Sequence, residues 1–174
     1  VCSSLNRNSG TIVRENTKME KMLISGVAAD KNVAKIRVAG LGNDPDSTFR
    51  LLNVLDKNNL NIDVMIQSLG KDGTKSVSFT VAKPDLLRAL DLLNDNKDYL
   101  GIKKLDSDEK VAKVSVIGAG IRSHSGVAAK MFGALASIGV NTEMVTTSEI
   151  RITVLIDEEY TDLAMRKLHE TFIN

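Results

Sequence analysis

The sequence predicts an α+β fold built from two β-α-β-β-α-β units in tandem, the first inserted into the second. Three observations lead to it. Val33-Ala34-Lys35-Ile36-Arg37-Val38 is answered by Val111-Ala112-Lys113-Val114-Ser115-Val116, 78 positions on. Asn61-Ile62-Asp63-Val64 is answered by Asn141-Thr142-Glu143-Met144, 80 positions on, so an indel of two separates the pairs. The second copy is also one strand short. Two copies with so long a period are too few for a solenoid, so the repeat indicates duplicated domains.

The elements follow in order. Ile36 and Val38 face one way and Lys35 and Arg37 the other, the period of a half-buried strand; Val114 and Val116 repeat the pattern. A Gly-containing loop comes next. Leu51, Leu52 and Leu55 then form the apolar stripe of a helix, matched by Val127, Met131 and Leu135. A second strand starts at Asn61 or Asn141. A third alternates through Val77, Phe79 and Val81, and through Ile150, Ile152 and Val154. A second helix runs over 85–93, with Pro84 beside its start, and its partner runs over 160–169. Unit one closes with a strand near 100–105, and 106–110 is a charged linker. Each unit is ferredoxin-like in plan. After the last helix of unit two only 171–174 remain, too short for a strand. The spare strand-like stretch is 22–28, which is expected to complete the sheet of unit two.

Composition narrows the function. Hydrophobic residues make up 43% of the 174, enough for a substantial core. Charges nearly cancel to +1, so no electrostatic grip on nucleic acid or membrane is indicated. Four Phe, two Tyr and no Trp leave no stacking platform for bases. The single cysteine, Cys2, rules out an internal disulfide and a Cys-based zinc site, and suits a reducing cytoplasm. No apolar run is long enough to span a bilayer as a helix, and residues 1–10 have no signal-peptide core. The chain starts without Met and is expected to be a fragment or processed product.

The chemistry-bearing motifs are few. Gly118-x-Gly120 after a strand imitates a dinucleotide fingerprint, but Ser123 and Pro45 stand where the third glycine belongs. The glycines are better explained by a sharp strand-to-helix turn. Such a turn leaves free N–H groups at a helix N-terminus and suits a carboxylate. Asn43, Asp44, Pro45, Asp46 and Ser47 occupy one such place, and Ser123, His124, Ser125 and Gly126 the other. Ordinary N-capping by Asp46, Ser47 or Ser125 explains them equally. Asn61 and Asn141 are corner residues, with Asp63 and Glu143 two positions on and on the same face. These acids could pair with an ammonium group or be merely solvated, and Gln67 is similar. His124 and His169 lack metal-ligand spacing, and no Walker-type loop is present.

Several of these stretches go further. Glu143-Met144-Val145-Thr146-Thr147-Ser148-Glu149-Ile150 resembles the Ser/Thr-Thr-Ser-Glu-Ile signature in the second ACT domain of aspartate kinases. Residues 118–128 resemble that family's Gly-x-Gly-Met-x-Ser-x-Pro-Gly-Val-Ala loop. Asn61-Ile62-Asp63-Val64-Met65-Ile66-Gln67 is similar to the Asn-Ile-Asp-x-Ile-x-Gln strand of its first ACT domain. The likeness covers about 9–173 and lies nearest the lysine-pathway enzymes with alpha and beta subunits.

The resemblance implies a regulatory module without catalysis of its own. Residues 1–20 would be the tail of the kinase domain or a linker, 33–106 the first ACT domain, and 21–32 plus 107–174 the second. ATP and Mg would belong only to the kinase domain that precedes them. End-product amino acids, threonine or lysine or both, would bind between ACT domains and inhibit aspartate phosphorylation. One site would combine Asn43, Asp44, Pro45, Asp46, Ser47, Thr48 and Gln67 with Asn141 and Thr142. Its counterpart would combine Val127, Ala128, Ser148 and Glu149 with Asn61, Ile62 and Asp63. Backbone amides would hold the ligand carboxylate, and the Asn and acidic side chains its ammonium.

Three departures bear on that. Asp46 stands where many relatives have Gly, Asp44 where some carry Lys, and Ser125 in place of the common Pro. The first site is therefore the one expected to be weakened. Expected partners are the kinase domain or alpha subunit and a second copy of the chain. The alternative is a structural dimerisation subunit with vestigial pockets. An RNA binder lacks the required aromatics, since only Phe79 lies in a predicted strand. An acyl-phosphate hydrolase would have to rely on Arg122.

Overall fold

The computed structural model describes residues 24–119, 121 and 126–173. Two four-stranded antiparallel sheets carry the fold. The first contains β2 (Ala34–Leu41), β3 (Met65–Leu69), β4 (Lys75–Val81) and β5 (Lys104–Asp108), in the order β3-β4-β2-β5. The second contains β1 (Gly26–Asp30), β6 (Val111–Ile117), β7 (Met144–Thr147) and β8 (Arg151–Asp157), in the order β1-β6-β8-β7. The strand ahead of the first sheet thus belongs to the second: Val27 faces Val116, and Ala29 faces Val114. It runs over Gly26–Asp30, later than the expected 22–28; Met22 and Leu23 lie outside the described residues.

One face of each sheet is covered by helices. In the first, Ile36 and Val38 of β2 and Val77 and Phe79 of β4 are fully buried, with Ile36 opposite Phe79 and Val38 opposite Val77. Over them lie α1 (Asp46–Lys57) and α2 (Leu86–Asp95), followed by the short α3 (Lys97–Leu100). Asp85 belongs to a 3-10 turn, Lys83–Asp85, that leads into α2. The buried face of α1 is Ser47, Leu51, Val54 and Leu55. Leu52, expected in that stripe, is only half-buried, because 100° per residue turns it away from Leu51 while Val54 and Leu55 return. In the second sheet, Val114, Val116, Ile152, Val154 and Ile156 meet Met131 and Leu135 of α4 (Val127–Ala136) and Ala164 and Leu168 of α5 (Thr161–Phe172).

Other expectations shift. The closing strand of unit one is not 100–105. Leu100 ends α3, and Gly101, at φ +70, turns the chain into β5. β5 absorbs most of the supposed 106–110 linker because an edge strand tolerates alternating Lys104, Asp106 and Asp108 beside half-buried Leu105. Ile150 does not share a face with Ile152 and Val154. It is 58% exposed in the tight β7–β8 turn, closed by the Ser148 N–H donating to the Arg151 carbonyl at 2.7 Å. The second strands begin after the Asn corners rather than at them. In unit one the Thr80 hydroxyl accepts from the Val64 N–H at 3.1 Å, and the Thr80 carbonyl from the Asp63 N–H at 3.2 Å, so pairing at 63–64 is irregular.

A third cluster joins the units. Val33, Val64, Val111, Met144 and Leu155 are buried together, with Ile66 packed against them. Val33 and Val111 are repeat equivalents, as are Val64 and Met144. The duplication therefore buries the same positions from both copies in one shared patch.

Candidate functional site

The two Asn corners are set by identical helix ends. Residue 59 and residue 139 adopt the left-handed conformation, as Asn59 at φ 54 and Gly139 at φ 73. Leu60 N–H donates to the Leu55 carbonyl at 3.0 Å, and Val140 N–H to the Leu135 carbonyl at 3.1 Å. Asn59 N–H donates to the Asp56 carbonyl and Gly139 N–H to the Ala136 carbonyl, completing a Schellman ending in both units. Leu60 and Val140 plug the cores, and Asn61 and Asn141 emerge exposed. From there Asp63 and Glu143 face outward, while Val64 and Met144 turn into the shared cluster.

These outward carboxylates are held by lysines of the other unit. Lys35 of β2 is paired with Glu143, and Lys113 of β6 with Asp63. Lys113 Nζ also lies 3.1 Å from Asp30 of β1. Burial disfavours the Lys113 ammonium, yet its hydrogen bonds and attraction to Asp63 and Asp30 outweigh this and hold its pKa above the ordinary lysine value. Burial likewise acts to raise the Asp30 pKa. Lys113 and the Asn32 N–H, 2.8 Å from Asp30 Oδ1, bring it below the usual carboxylate value.

Two hollows meet at Lys113. One, of about 530 Å³, lies on the helix-free face of the second sheet. Asp30, Asp63, Lys113, Ser115, Thr146, Thr147, Ser148, Arg151 and Thr153 line it, with Ala28, Ala29, Val64 and Met65. Ser115 and Thr153 share a buried hydroxyl hydrogen bond of 2.8 Å there. The other, of about 280 Å³, is lined by Asn61, Ile62 and Asp63, with Asp30, Asn32, Thr80, Asp85 and Lys113 among its walls. Both combine fixed charges of each sign with hydroxyl groups, an environment suited to a small zwitterion.

The first loop is arranged differently. Pro45 stands at the N-cap of α1 without a side-chain cap, so neither Asp46 nor Ser47 caps as the sequence suggested. The buried Ser47 hydroxyl instead donates to the Asp44 carbonyl at 3.0 Å. Lys75 Nζ donates to that carbonyl at 2.8 Å and to Ser47 Oγ at 3.2 Å. The Asp44 carboxylate lies 3.3 Å from Arg50 Nη2. Desolvation acts to raise its pKa, but Arg50 and the amides of Asp44 and Asp46 bring it below the usual value. Thr48 Oγ1 donates to Gln67 at 2.6 Å, tying the loop to β3. Asn43 and Asp46 are exposed.

Of the first expected residue set, 43–48 and Gln67 stand together. Among the described residues, no hydrogen bond or ion pair joins Asn141 or Thr142 to them. In the second set, Asp63 and Ser148 line one hollow, and Glu149 follows Ser148 in the exposed turn. Val127 packs against the core on the helix side, and Ala128 is exposed behind it. Gly120 and residues 122–125, including Arg122, Ser123, His124 and Ser125, lie outside the described residues. Lys35, Lys113, Asp30, Arg50 and Lys75 were not singled out from the sequence. The available signal was the placement of Lys35 and Lys113 at equivalent positions of the repeat. Among the described residues, no group of three His, Cys, Asp or Glu could hold a metal ion, and no helix is long and apolar enough to cross a membrane.

Comparison with known proteins agrees with this architecture. Residues 114–172 match the family model described as ACT domain. An aspartokinase of Pseudomonas aeruginosa is 37% identical over 175 residues, covering 99% of this chain and 42% of its own length. The chain thus spans less than half of the curated relatives it matches. A solved structure of aspartokinase alpha and beta subunits is 43% identical with a TM-score of 0.81, over 86% of this chain and 98% of that one. The ligand-free regulatory subunit of aspartate kinase from Thermus thermophilus is 35% identical with a TM-score of 0.81, over 86% of this chain and 99% of that one. With two ferredoxin-like units, ACT-domain similarity and near-complete coverage of those subunit chains, this chain belongs to the aspartate kinase family and corresponds to its regulatory, ACT-domain part.

Proposed function

We propose that the chain senses end-product amino acids, threonine or lysine or both, for feedback inhibition of an ATP-dependent aspartate kinase. On this reading the chain itself does not catalyse, and the kinase acts in lysine, threonine and methionine biosynthesis in the cytoplasm. Its partners are the kinase domain or alpha subunit and a second copy of the chain. The first ACT domain is 33–106 and the second 21–32 plus 107–174, with 1–20 as kinase tail or linker; the pairing of β1 with β6 supports that division.

The observation that carries the reading is the pair of equivalent Asn corners, each presenting an exposed Asn and a carboxylate. Asn61, Ile62 and Asp63 border a hollow of about 280 Å³, large enough for a small amino acid. In the proposed sites, Asp63 and Glu143 receive the ammonium group. Ser148 and Glu149, with Val127 and Ala128, complete one site. Asn43, Asp44, Pro45, Asp46, Ser47, Thr48 and Gln67 complete the other with Asn141 and Thr142, which a second copy of the chain would bring to that loop.

A second reading, a structural dimerisation subunit with weakened pockets, is favoured by one feature. The Asp44 carboxylate, paired with Arg50, lies at the α1 N-terminus where a ligand carboxylate would bind.

Calorimetric titration with threonine, with lysine, and with both separates these readings. Binding of either supports the sensor, and its stoichiometry reports how many corners are used. No heat and no change in Tm, with dimerisation intact in sedimentation, supports the structural reading. A monomer at all concentrations removes the second copy from both.

A further inference from the structure

We propose that Lys35 and Lys113 are internal counter-ions that occupy the ammonium positions of the two Asn corners, so that an amino-acid ligand enters by displacing them. The inference rests on the effector reading above and adds how that site is regulated. Lys35 and Lys113 are repeat equivalents, and so are Glu143 and Asp63. Each lysine reaches across to the carboxylate of the other unit, so the two ties are related by the pseudo-symmetry of the duplication. A primary ammonium on a carboxylate is also the contact that a ligand's amino group would make. Lys35 holds Oε2 of Glu143 and Lys113 holds Oδ2 of Asp63, so a ligand ammonium that takes the same oxygen competes with the lysine.

The two ties differ in how easily they open. Lys113 keeps Asp30 at 3.1 Å when Asp63 is taken, and Asp30 belongs to β1 of the same sheet. Among the described residues, Lys35 has no second carboxylate. Releasing Lys113 therefore leaves a paired cation, and releasing Lys35 leaves an unpaired one. The corner at Asn61–Asp63 is the one that admits ligand first. Either displacement removes a link between the sheets, so binding energy at a corner is converted into altered attachment between the units. That is the differential interaction which a ligand needs to shift a conformational equilibrium.

The test uses the chain with threonine and lysine as probes. Lys113→Met should bind the amino acid that uses the Asp63 corner about fivefold more tightly than the parent, the scale of a partly exposed ion pair. Lys113→Arg, which keeps the charge, should not gain affinity. Unchanged or weaker binding by Lys113→Met would overturn the competition, as would an equal gain by Lys113→Arg. A ligand-free double-mutant cycle of Lys113→Met and Asp63→Asn, read as the denaturant midpoint, should show coupling. Additive effects would overturn the tie whatever the chain binds. Coupling without binding by any variant would mean that the effector reading has failed and the displacement step with it.

Discussion

At the scale of single residues, charged side chains far apart in sequence are brought into pairs by the fold. Lys113 is the clearest case, being held between Asp30 and Asp63. Its stability effect has a definite pH sign. The Asp30 carboxyl is held below its ordinary value of 3.8, so its contribution is present above pH 3.8 and lost as acid carries the solution through the lower folded value. The Lys113 pKa is raised above 10.5, so its contribution is complete below pH 10.5 and lost as pH rises through the folded value. The Tm measured against pH should therefore fall at both ends, and Lys113→Met should flatten both limbs. The effect is small, about 0–1 kcal/mol for partly exposed pairs. These charges were not legible in sequence, because outward strand positions in one copy reveal nothing about which unit they face. Asp63 and Glu143 were legible as outward-facing acids, but their partners were not.

At the scale of elements, the sequence was most informative where periodicity and turn chemistry agree. The central strands β2, β4, β6 and β8 were visible because one face is apolar throughout. β8 also shows the limit of that signal. It is buried from Ile152 to Ile156, with Leu155 in the shared cluster, so its period-two pattern is blurred and its start was misplaced by Ile150. Edge strand β5 was misplaced because its residues are mostly charged. The helix ends carry a sharper prediction. Gly139 needs φ 73 to close the Schellman turn before Asn141, and any side chain there is strained. Gly139→Ala should cost about 1–2 kcal/mol in denaturant unfolding. The equivalent Asn59→Gly should be tolerated, since Asn already accepts that conformation. In the first core, Phe79 of β4 is fully buried, and Phe79→Ala should cost about 3–5 kcal/mol.

At the scale of the whole molecule, two sheets with separate cores are held together by little apolar surface. The link is Val33, Val64, Val111, Met144 and Leu155, flanked by three lysine ties, Lys35–Glu143, Lys113–Asp63 and Lys83–Glu158. The repeat announced two units, yet nothing in either copy alone marked Val64 or Met144 as contacts rather than strand-edge residues. That knowledge requires both copies in place. Chain continuity adds a second link, because β1 lies in one sheet while the chain from β2 to β5 builds the other before returning at β6. Two cores joined in this way unfold together only while the shared cluster couples them. Val64→Asp puts a carboxylate at a buried position of that cluster, where it finds apolar neighbours and an uncompensated desolvation cost. Val64 is not among the buried members of either helix-covered core, so both should remain intact. Scanning calorimetry should then resolve one transition into two, with the inter-unit coupling lost and each core melting by itself. A single transition merely shifted to lower temperature would show that the crossing of the chain between sheets and the ion pairs between units, rather than the apolar cluster, make the two units cooperative.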